Sequence, residues 1–387
     1  MNARPLVSMV WCAALSPAAA QSLKITVPIE QLEAQAKQDS DDAVAQFNLA
    51  IGYWSEEKYT EATAPLERAL AIDPEFAPAW YALANIPLAT GDGLEEKSFL
   101  IGDGMALYYW VAVDSVWKTY DSRVQHAFMI DPLVDTRIAT SIQWRGGYQS
   151  KFDRARHQYD DGQFDKALEQ LGRIVHDDAG NPGGDPNYED ALWYHALAAA
   201  RVQKFDDAIH DLAELVQHSL KRETADTLIH RTLRTNNYRY VLGYMQDKAG
   251  HQDDALKTYQ EALANDIGLY SAHARLAAIY EQRHDWQHAV QERQRAIDAN
   301  PDDPSLVFDV GLTLAKVSQW SQAERFFKQA MTANPRDVRV PYYLGIVEQQ
   351  QGNAAGARDA FARFIAIAPS RYERQIADAK QRISTLQ

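Results

Sequence analysis

A pattern of small and apolar positions recurs three times between residues 270 and 369, in windows of thirty-four residues that begin at Tyr270, Pro304 and Val338. Each window has a small residue at its eighth place and alanine at its twentieth: Ala277, Gly311 and Gly345, then Ala289, Ala323 and Ala357. Larger apolar residues surround these places at helical spacing. Because two antiparallel helices that cross closely need small residues at their contacts, each window predicts a packed helix pair.

The thirty-second place of each window is proline: Pro301, Pro335 and Pro369. Proline lacks a backbone donor, so it predicts the end of the second helix. This period and these residue types resemble the tetratricopeptide repeat (TPR) family. The resemblance implies an all-α fold, a right-handed superhelical solenoid of antiparallel helix pairs. In this family the first helices form a concave wall that usually binds extended peptides.

Placed along the whole chain, the same pattern predicts about eight repeats. A segment with an apolar stripe at Ile29, Leu32 and Ala36 precedes them. The predicted parts are a signal peptide at 1–20, a lead-in or cap at 21–42, repeats one and two at 43–134, a connector at 135–147, repeats three to eight at 148–371, and a C-terminal capping helix at 372–387.

The second repeat departs from the pattern. Pro87 lies inside its first helix, glycines follow at 91 and 93, and the repeat is longer than the others. The repeat pattern breaks there, and we expect an aromatic insertion at about residues 91–120. Leu107, Trp110, Val111 and Trp117 fit one face of a helix, which favours an enlarged local core. The candidate partner surface of the insertion consists of Tyr108, Tyr109 and Tyr120.

The first twenty residues have the features of a secretory signal. Arg4 supplies a positive start, residues 6–15 are mostly apolar, and Ala18-Ala19-Ala20 are small residues of the kind that precede a cleavage site. The alternatives are a buried N-terminal helix and lipidation at Cys12, the only cysteine. We expect cleavage near Ala20, a periplasmic or secreted product and no transmembrane segment in the mature chain.

Charge and sequence motifs narrow the range of possible functions. The net charge is −14 and the pI is near 5.2, so nucleic acid and anionic membranes would repel the chain at long range. Signatures of serine hydrolases and phosphate-binding loops do not occur. His284 and His288 have a metal-ligand spacing, but His284 falls in a predicted turn. We therefore expect no catalytic residues, no metal and no cofactor.

An aromatic row is the strongest candidate binding feature. It follows the fifth place of the windows, where seven of eight residues are aromatic, with Tyr244 four residues after one of them. The candidates are Phe47, Tyr81, Phe152, Trp193, Tyr240, Tyr244, Phe308 and Tyr342. Rings offer a large contact area at low rotamer cost. The row predicts either contacts with a protein or peptide partner, or packing between repeats.

Two functions fit this sequence. The favoured one is a non-catalytic scaffold of the cell envelope that binds a protein partner in the concave groove. The alternative is a carbohydrate-binding protein that assists the assembly or export of envelope polysaccharide, because aromatic rings also stack on sugars.

Overall fold

The computed structural model describes residues 27–101, 105–134, 151–160, 162–178, 188–225 and 232–386. The predicted signal peptide lies outside the described residues, as does the connector at 135–147.

Helices that pair in sequence order form nearly all of the described structure. The chain enters through α1 (Ile29–Gln38), whose buried residues are Ile29, Leu32 and Ala36. Eight helix pairs follow in the described residues. They are α2 (Ala43–Ser55) with α3 (Tyr59–Ile72), α4 (Ala77–Thr90) with α5 (Asp114–Ile130), α6 (Lys151–Asp160) with α7 (Phe164–Asp178), α8 (Tyr188–Arg201) with α9 (Phe205–Ala225), α10 (Thr232–Lys248) with α11 (Gln252–Asn265), α12 (Tyr270–Gln282) with α13 (Trp286–Ala299), α14 (Pro304–Lys316) with α15 (Trp320–Ala333), and α16 (Arg339–Gln350) with α17 (Ala354–Ile367).

The chain closes with a short 3-10 turn, Ser370–Tyr372, and α18 (Glu373–Thr385). Ala379 of α18 is fully buried and joins Phe361 and Phe364 of α17 in one apolar cluster. This last helix therefore covers an apolar face that α17 would otherwise leave open.

The small residues at the eighth and twentieth places of the windows lie where paired helices touch, as the sequence predicted. Ala289, Ala323 and Ala357 have no exposed surface. A Cβ atom built on Gly345 would lie 2.7 Å from the ring of Phe361. The second helices α13, α15 and α17 each end two residues before their proline. The all-α fold class is confirmed, with one exception in the insertion of the second repeat.

That exception is a β-hairpin. β1 (Leu94–Ile101) pairs antiparallel with β2 (Met105–Ala112), from Leu94 opposite Ala112 to Ile101 opposite Met105. The prediction of a helix through Leu107, Trp110 and Val111 is wrong. Residues 108–111 are aromatic or β-branched, types that favour strands, and a facing segment pairs with them. Trp117 lies in α5, beyond the hairpin.

Pro87 lies inside α4. α4 continues to Thr90 and ends at Gly91, which has the left-handed φ of 78°. Proline cannot donate to the carbonyl four residues earlier. That carbonyl, on Leu83, instead accepts a hydrogen bond from Arg123 Nη1 of α5 at 3.1 Å. Arg123 thus compensates for the donor that Pro87 lacks.

The described chain forms two compact units. One consists of Met1–Trp144 with Gln319–Gln387, and the other of Arg145–Ser318. Within the first unit, N-terminal and C-terminal segments touch: Arg339 Nη1 lies 3.0 Å from Glu75 Oε1, and the Ser370 amide donates to Asp41 Oδ2 at 3.1 Å. Arg371 pairs with Asp73 beside them.

In the part of the chain that the structure describes, no helix combines the length and apolar character that crossing a membrane requires.

Candidate functional site on the first helices

Half of the aromatic row is buried. Tyr81, Phe152, Tyr240 and Phe308 have exposed fractions of 8% or less. Their rings meet neighbouring helices: Tyr81 contacts Phe128 of α5, Phe152 contacts Tyr194 of α8, and Tyr240 contacts Tyr259 of α11. Phe152 packs between repeats, which was the alternative expected from the sequence, whereas Tyr81 and Tyr240 pack within their own helix pairs. These four residues cannot offer a ring to a partner while the array is folded.

The other four aromatic residues are half-buried. In the first unit, Phe47 stacks edge-on against Phe76, with ring centroids 5.3 Å apart. Tyr342 donates its hydroxyl to Asp378 Oδ2 of α18 at 2.8 Å. Burial, followed by this carboxylate, raises the pKa of Tyr342 to about 12, so the phenol remains neutral at physiological pH. Both rings thus serve local packing through most of their surface.

In the second unit, the half-buried members are Trp193 of α8 and Tyr244 of α10. Trp193 lies beside Tyr238 of α10, with ring centroids 5.4 Å apart. Tyr244 contacts the next first helix, because the Arg275 guanidinium of α12 lies over its ring, 4.8 Å from the centroid. The Lys248 ammonium approaches the same ring at 5.3 Å. Trp193, Tyr244 and Arg275 therefore follow one another on three consecutive first helices.

Arg275 is held in this position by a second contact. Its Nε donates to the Tyr240 hydroxyl at 3.2 Å, so one guanidinium joins a buried tyrosine to a half-exposed one. Burial raises the pKa of Tyr240, which stays a neutral acceptor. A cation stacked on an aromatic ring and bonded at its edge loses little further freedom when a ligand binds. We call Trp193, Tyr244, Lys248 and Arg275 the first-helix patch.

A charged cluster lies where α12, α13 and α14 meet. Glu281 accepts from Thr313 Oγ1 at 2.6 Å and pairs with Arg293 Nη2 at 3.3 Å and with Lys316. Arg293 also contacts Asp309 Oδ2 at 2.9 Å. Although burial opposes ionisation, Arg293 and the hydrogen bonds from Lys316 and Thr313 hold the pKa of Glu281 below its usual 4.5. The Glu281 cluster is a structural clamp between repeats.

The two histidines with metal-ligand spacing lie at a helix start, where His288 has a structural partner. His284 has the left-handed φ of 59° in the turn before α13. Asp285 caps that helix by accepting from the His288 amide, and its other oxygen contacts His288 Nδ1 at 2.6 Å. These bonds hold the pKa of Asp285 below its usual value. Within the described ranges, no group of three histidine, cysteine, aspartate or glutamate side chains is arranged to hold a metal ion.

The insertion tyrosines are placed differently from one another. Tyr108 and Tyr109 belong to β2, whereas Tyr120 lies in α5 beside Trp117, with ring centroids 5.4 Å apart. Tyr120 is half-buried, and burial raises its pKa. The sequence had suggested that these tyrosines share one face of a single helix. They do not, because they lie on two different elements.

The sequence reading missed the polar members of the first-helix patch. It followed the fifth place of each window, and Arg275 stands at the sixth place of its own. Because Ala274 breaks the aromatic row at this window, no signal in the row pointed to Arg275.

Comparison with known proteins supports the repeat assignment. A family model described as "Tetratricopeptide repeat" matches residues 152–221, 222–304 and 308–372, which together exceed half of the chain. The chain belongs to the tetratricopeptide repeat family. These matches include the first-helix patch and the Glu281 cluster.

A curated protein shows a weaker similarity. The general transcriptional corepressor ssn6 of Schizosaccharomyces pombe is 24% identical over 131 residues, which cover 33% of this chain. The match spans only 12% of the corepressor's length.

Solved TPR structures resemble the chain in part. The C-terminal part of a TPR repeat-containing protein from Cytophaga hutchinsonii is 14% identical, with a TM-score of 0.46, covering 61% of this chain and 95% of that one. A TPR protein from Parabacteroides merdae is 14% identical, with a TM-score of 0.44 and coverages of 61% and 91%. MamA from Desulfovibrio magneticus is 16% identical, with a TM-score of 0.39 and coverages of 46% and 94%. At these scores the neighbours carry no argument about function.

Proposed function

We propose that this TPR protein is a non-catalytic scaffold that binds an extended segment of a protein partner along its first helices. The observation that carries the proposal is the first-helix patch. Trp193, Tyr244 and Arg275 lie on consecutive first helices, partly exposed, and Arg275 is fixed by Tyr240. An extended peptide crossing α8, α10 and α12 meets one of these side chains at each repeat.

The chemistry of the patch favours a peptide with apolar and acidic side chains. Aromatic rings supply contact area, while the cations of Arg275 and Lys248 attract carboxylates. Tight binding in such interfaces usually depends on a few aromatic and arginine residues. The net charge of −14 makes this local pair of cations selective, because the surrounding surface repels acidic chains that cannot reach it.

Peptide display tests the proposal. Peptides selected on the purified protein should lose at least about tenfold in affinity with Trp193→Ala or Tyr244→Ala, because each removes a large contact area. Arg173→Ala is the matched control, since Arg173 is 70% exposed on the second helix α7. Selected peptides that bind the Trp193 and Tyr244 variants as well as the wild type would contradict the proposal. Preferential binding of soluble polysaccharide would favour the carbohydrate function instead.

We also propose that the protein is exported to the cell envelope and cleaved near Ala20. Support comes from the sequence alone, through Arg4, the apolar run and Ala18-Ala19-Ala20. N-terminal sequencing of the protein from fractionated cells should find a chain that starts near Gln21 outside the cytoplasm. An intact Met1 in the cytoplasmic fraction would contradict export.

A further inference from the structure

A second candidate binding site lies in the second unit, at the ends of the second helices α11 and α13. A cleft of about 820 Å³ opens there, and α12 contributes to its lining. Its apolar lining includes Leu263, Ile267 and Leu276, and its polar lining includes His273, Glu292 and Asp298. We call it the second-helix cleft, and it shares no residue with the first-helix patch.

Three residues that line the cleft differ in type from the residues at the same places of the regular windows. Ile267 occupies the place where other windows have Pro301, Pro335 and Pro369. His273 occupies the place of Val307 and Pro341, and Glu292 the place of Phe326 and Ala360. α11 ends two residues before Ile267, just as the other second helices end two residues before their proline. The isoleucine is therefore not needed to end the helix. These three departures meet in one cleft.

Ile267 is the most exposed large apolar side chain among the described residues, at 83%. Leu276 in the same cleft is 2% exposed. Covering an exposed isoleucine with apolar surface is favourable in proportion to the area removed from water. The cleft thus presents an apolar rim beside an apolar floor.

The polar side of the cleft is fixed. Glu292 is 5% exposed, and its two oxygens contact His273 Nδ1, at 2.6 Å, and Arg295 Nη1. His273 and Arg295 thus hold the Glu292 carboxylate in place within the lining.

The charges of the lining residues favour a ligand that carries a hydrogen-bond donor. Glu292 and Arg295 balance each other, which leaves Asp298 and a net charge of −1 for these lining residues. Asp298 is exposed and accepts from Gln294 Nε2 at 3.1 Å, a bond that uses one of its two oxygens. A cationic group near the cleft therefore gains both a charge partner and an acceptor.

We propose that the second-helix cleft binds a partner peptide in which a bulky apolar side chain stands next to lysine or arginine. The apolar side chain covers Ile267, and the basic side chain donates to Asp298. This ligand differs in charge from the acidic peptide expected at the first-helix patch.

A peptide array tests the proposal. The probes are synthetic peptides in which a central leucine or tryptophan is followed by lysine, glutamate or serine. Wild-type protein should prefer the lysine series. Ile267→Asp should weaken that binding by about tenfold or more, because it removes an apolar contact and adds a charge.

A charge-reversal variant distinguishes specific recognition of the basic side chain from a general loss of peptide binding. Asp298→Lys should shift the preference toward the glutamate series, whereas Val44→Asp, at a 50% exposed valine of the first unit, should change nothing. Tyr244→Ala should also leave this binding intact, so failure here and failure at the first-helix patch are distinguishable. Equal binding of the three series, no binding of any, or no effect of Ile267→Asp would each overturn the proposal.

Discussion

Gly345 shows how a single residue sets the distance between paired helices. A Cβ atom at this position would lie 2.7 Å from the Phe361 ring, well inside van der Waals contact. Gly243 of α10 has the same relation to Tyr259, at 2.9 Å. In both pairs, glycine at the eighth place of the first helix faces a large aromatic residue of the second helix. This pairing was legible in the sequence, since both members lie at fixed places of the window.

Gly345→Ala should therefore lower the free energy of unfolding by about 1–3 kcal/mol, the usual cost of overpacking. Urea denaturation followed by circular dichroism measures it. In the Phe361→Leu background the same change should cost less, because the smaller side chain leaves room for the methyl group. An equal loss in both backgrounds would show that the contact with Phe361 is not the cause.

Glu281 makes a second prediction at this scale. Its folded pKa lies below the usual 4.5, so its ionised form stabilises the folded state above that pH. The stabilisation is lost as the pH falls through the lower folded value. Glu281→Gln should therefore be less stable than wild type at neutral pH, by about 1–3 kcal/mol, and the difference should shrink in acid.

Thermal denaturation across a pH series measures that difference. Glu261→Gln serves as the control, because the Glu261 side chain is 51% exposed and its Oε1 lies 4.0 Å from Lys257 Nζ. A stability difference for Glu281→Gln that stays constant from neutral to acid pH would contradict the role of the charge.

The elements show where sequence reasoning succeeded and where it failed. The helix pairs of the regular windows were predictable because the small places and prolines recur at a fixed period. The hairpin was not, since apolar residues at 107, 110 and 111 fit a helix face as well as a strand. Strand pairing depends on a facing segment that local spacing does not reveal. The Glu281 cluster joins residues from three helices, so its assembly also required the structure.

The α4–α5 pair gives an element-scale prediction. Arg123→Ala removes the donor to the Leu83 carbonyl and should destabilise the fold by about 1–3 kcal/mol. Pro87→Ala supplies a backbone N–H at the place where a helix would bond that carbonyl. The loss from Arg123→Ala should therefore be smaller in the Pro87→Ala background. A double-mutant cycle in urea measures the coupling, and strictly additive effects would contradict it.

At the scale of the whole molecule, residues far apart in sequence meet within the first unit. Arg339 contacts Glu75, Arg371 contacts Asp73, and the Ser370 amide donates to Asp41. The hydrogen bond from Ser370 lowers the pKa of the Asp41 carboxyl. Glu75 is 61% exposed, so salt screens its pair with Arg339 effectively. The meeting of these segments should accordingly depend on ionic strength.

Distance measurements between spin labels test this contact. Labels at Glu67 and Ala362, both exposed, should report one narrow distance at low salt that broadens with Glu75→Arg or in high salt. Combining Glu75→Arg with Arg339→Glu should restore the narrow distribution, because the charge pair is rebuilt. A distribution unaffected by salt and by Glu75→Arg would contradict the electrostatic contact.

Photo-crosslinking in the native cell tests whether a protein partner lies along the first-helix patch. A photoreactive amino acid replaces Trp193, Tyr244 or, as the control on a second helix, Arg173, and mass spectrometry identifies the adducts. We expect the same protein partner to be attached at Trp193 and Tyr244 but not at Arg173. No protein adduct at either aromatic position, or the same adducts at all three positions, would contradict it.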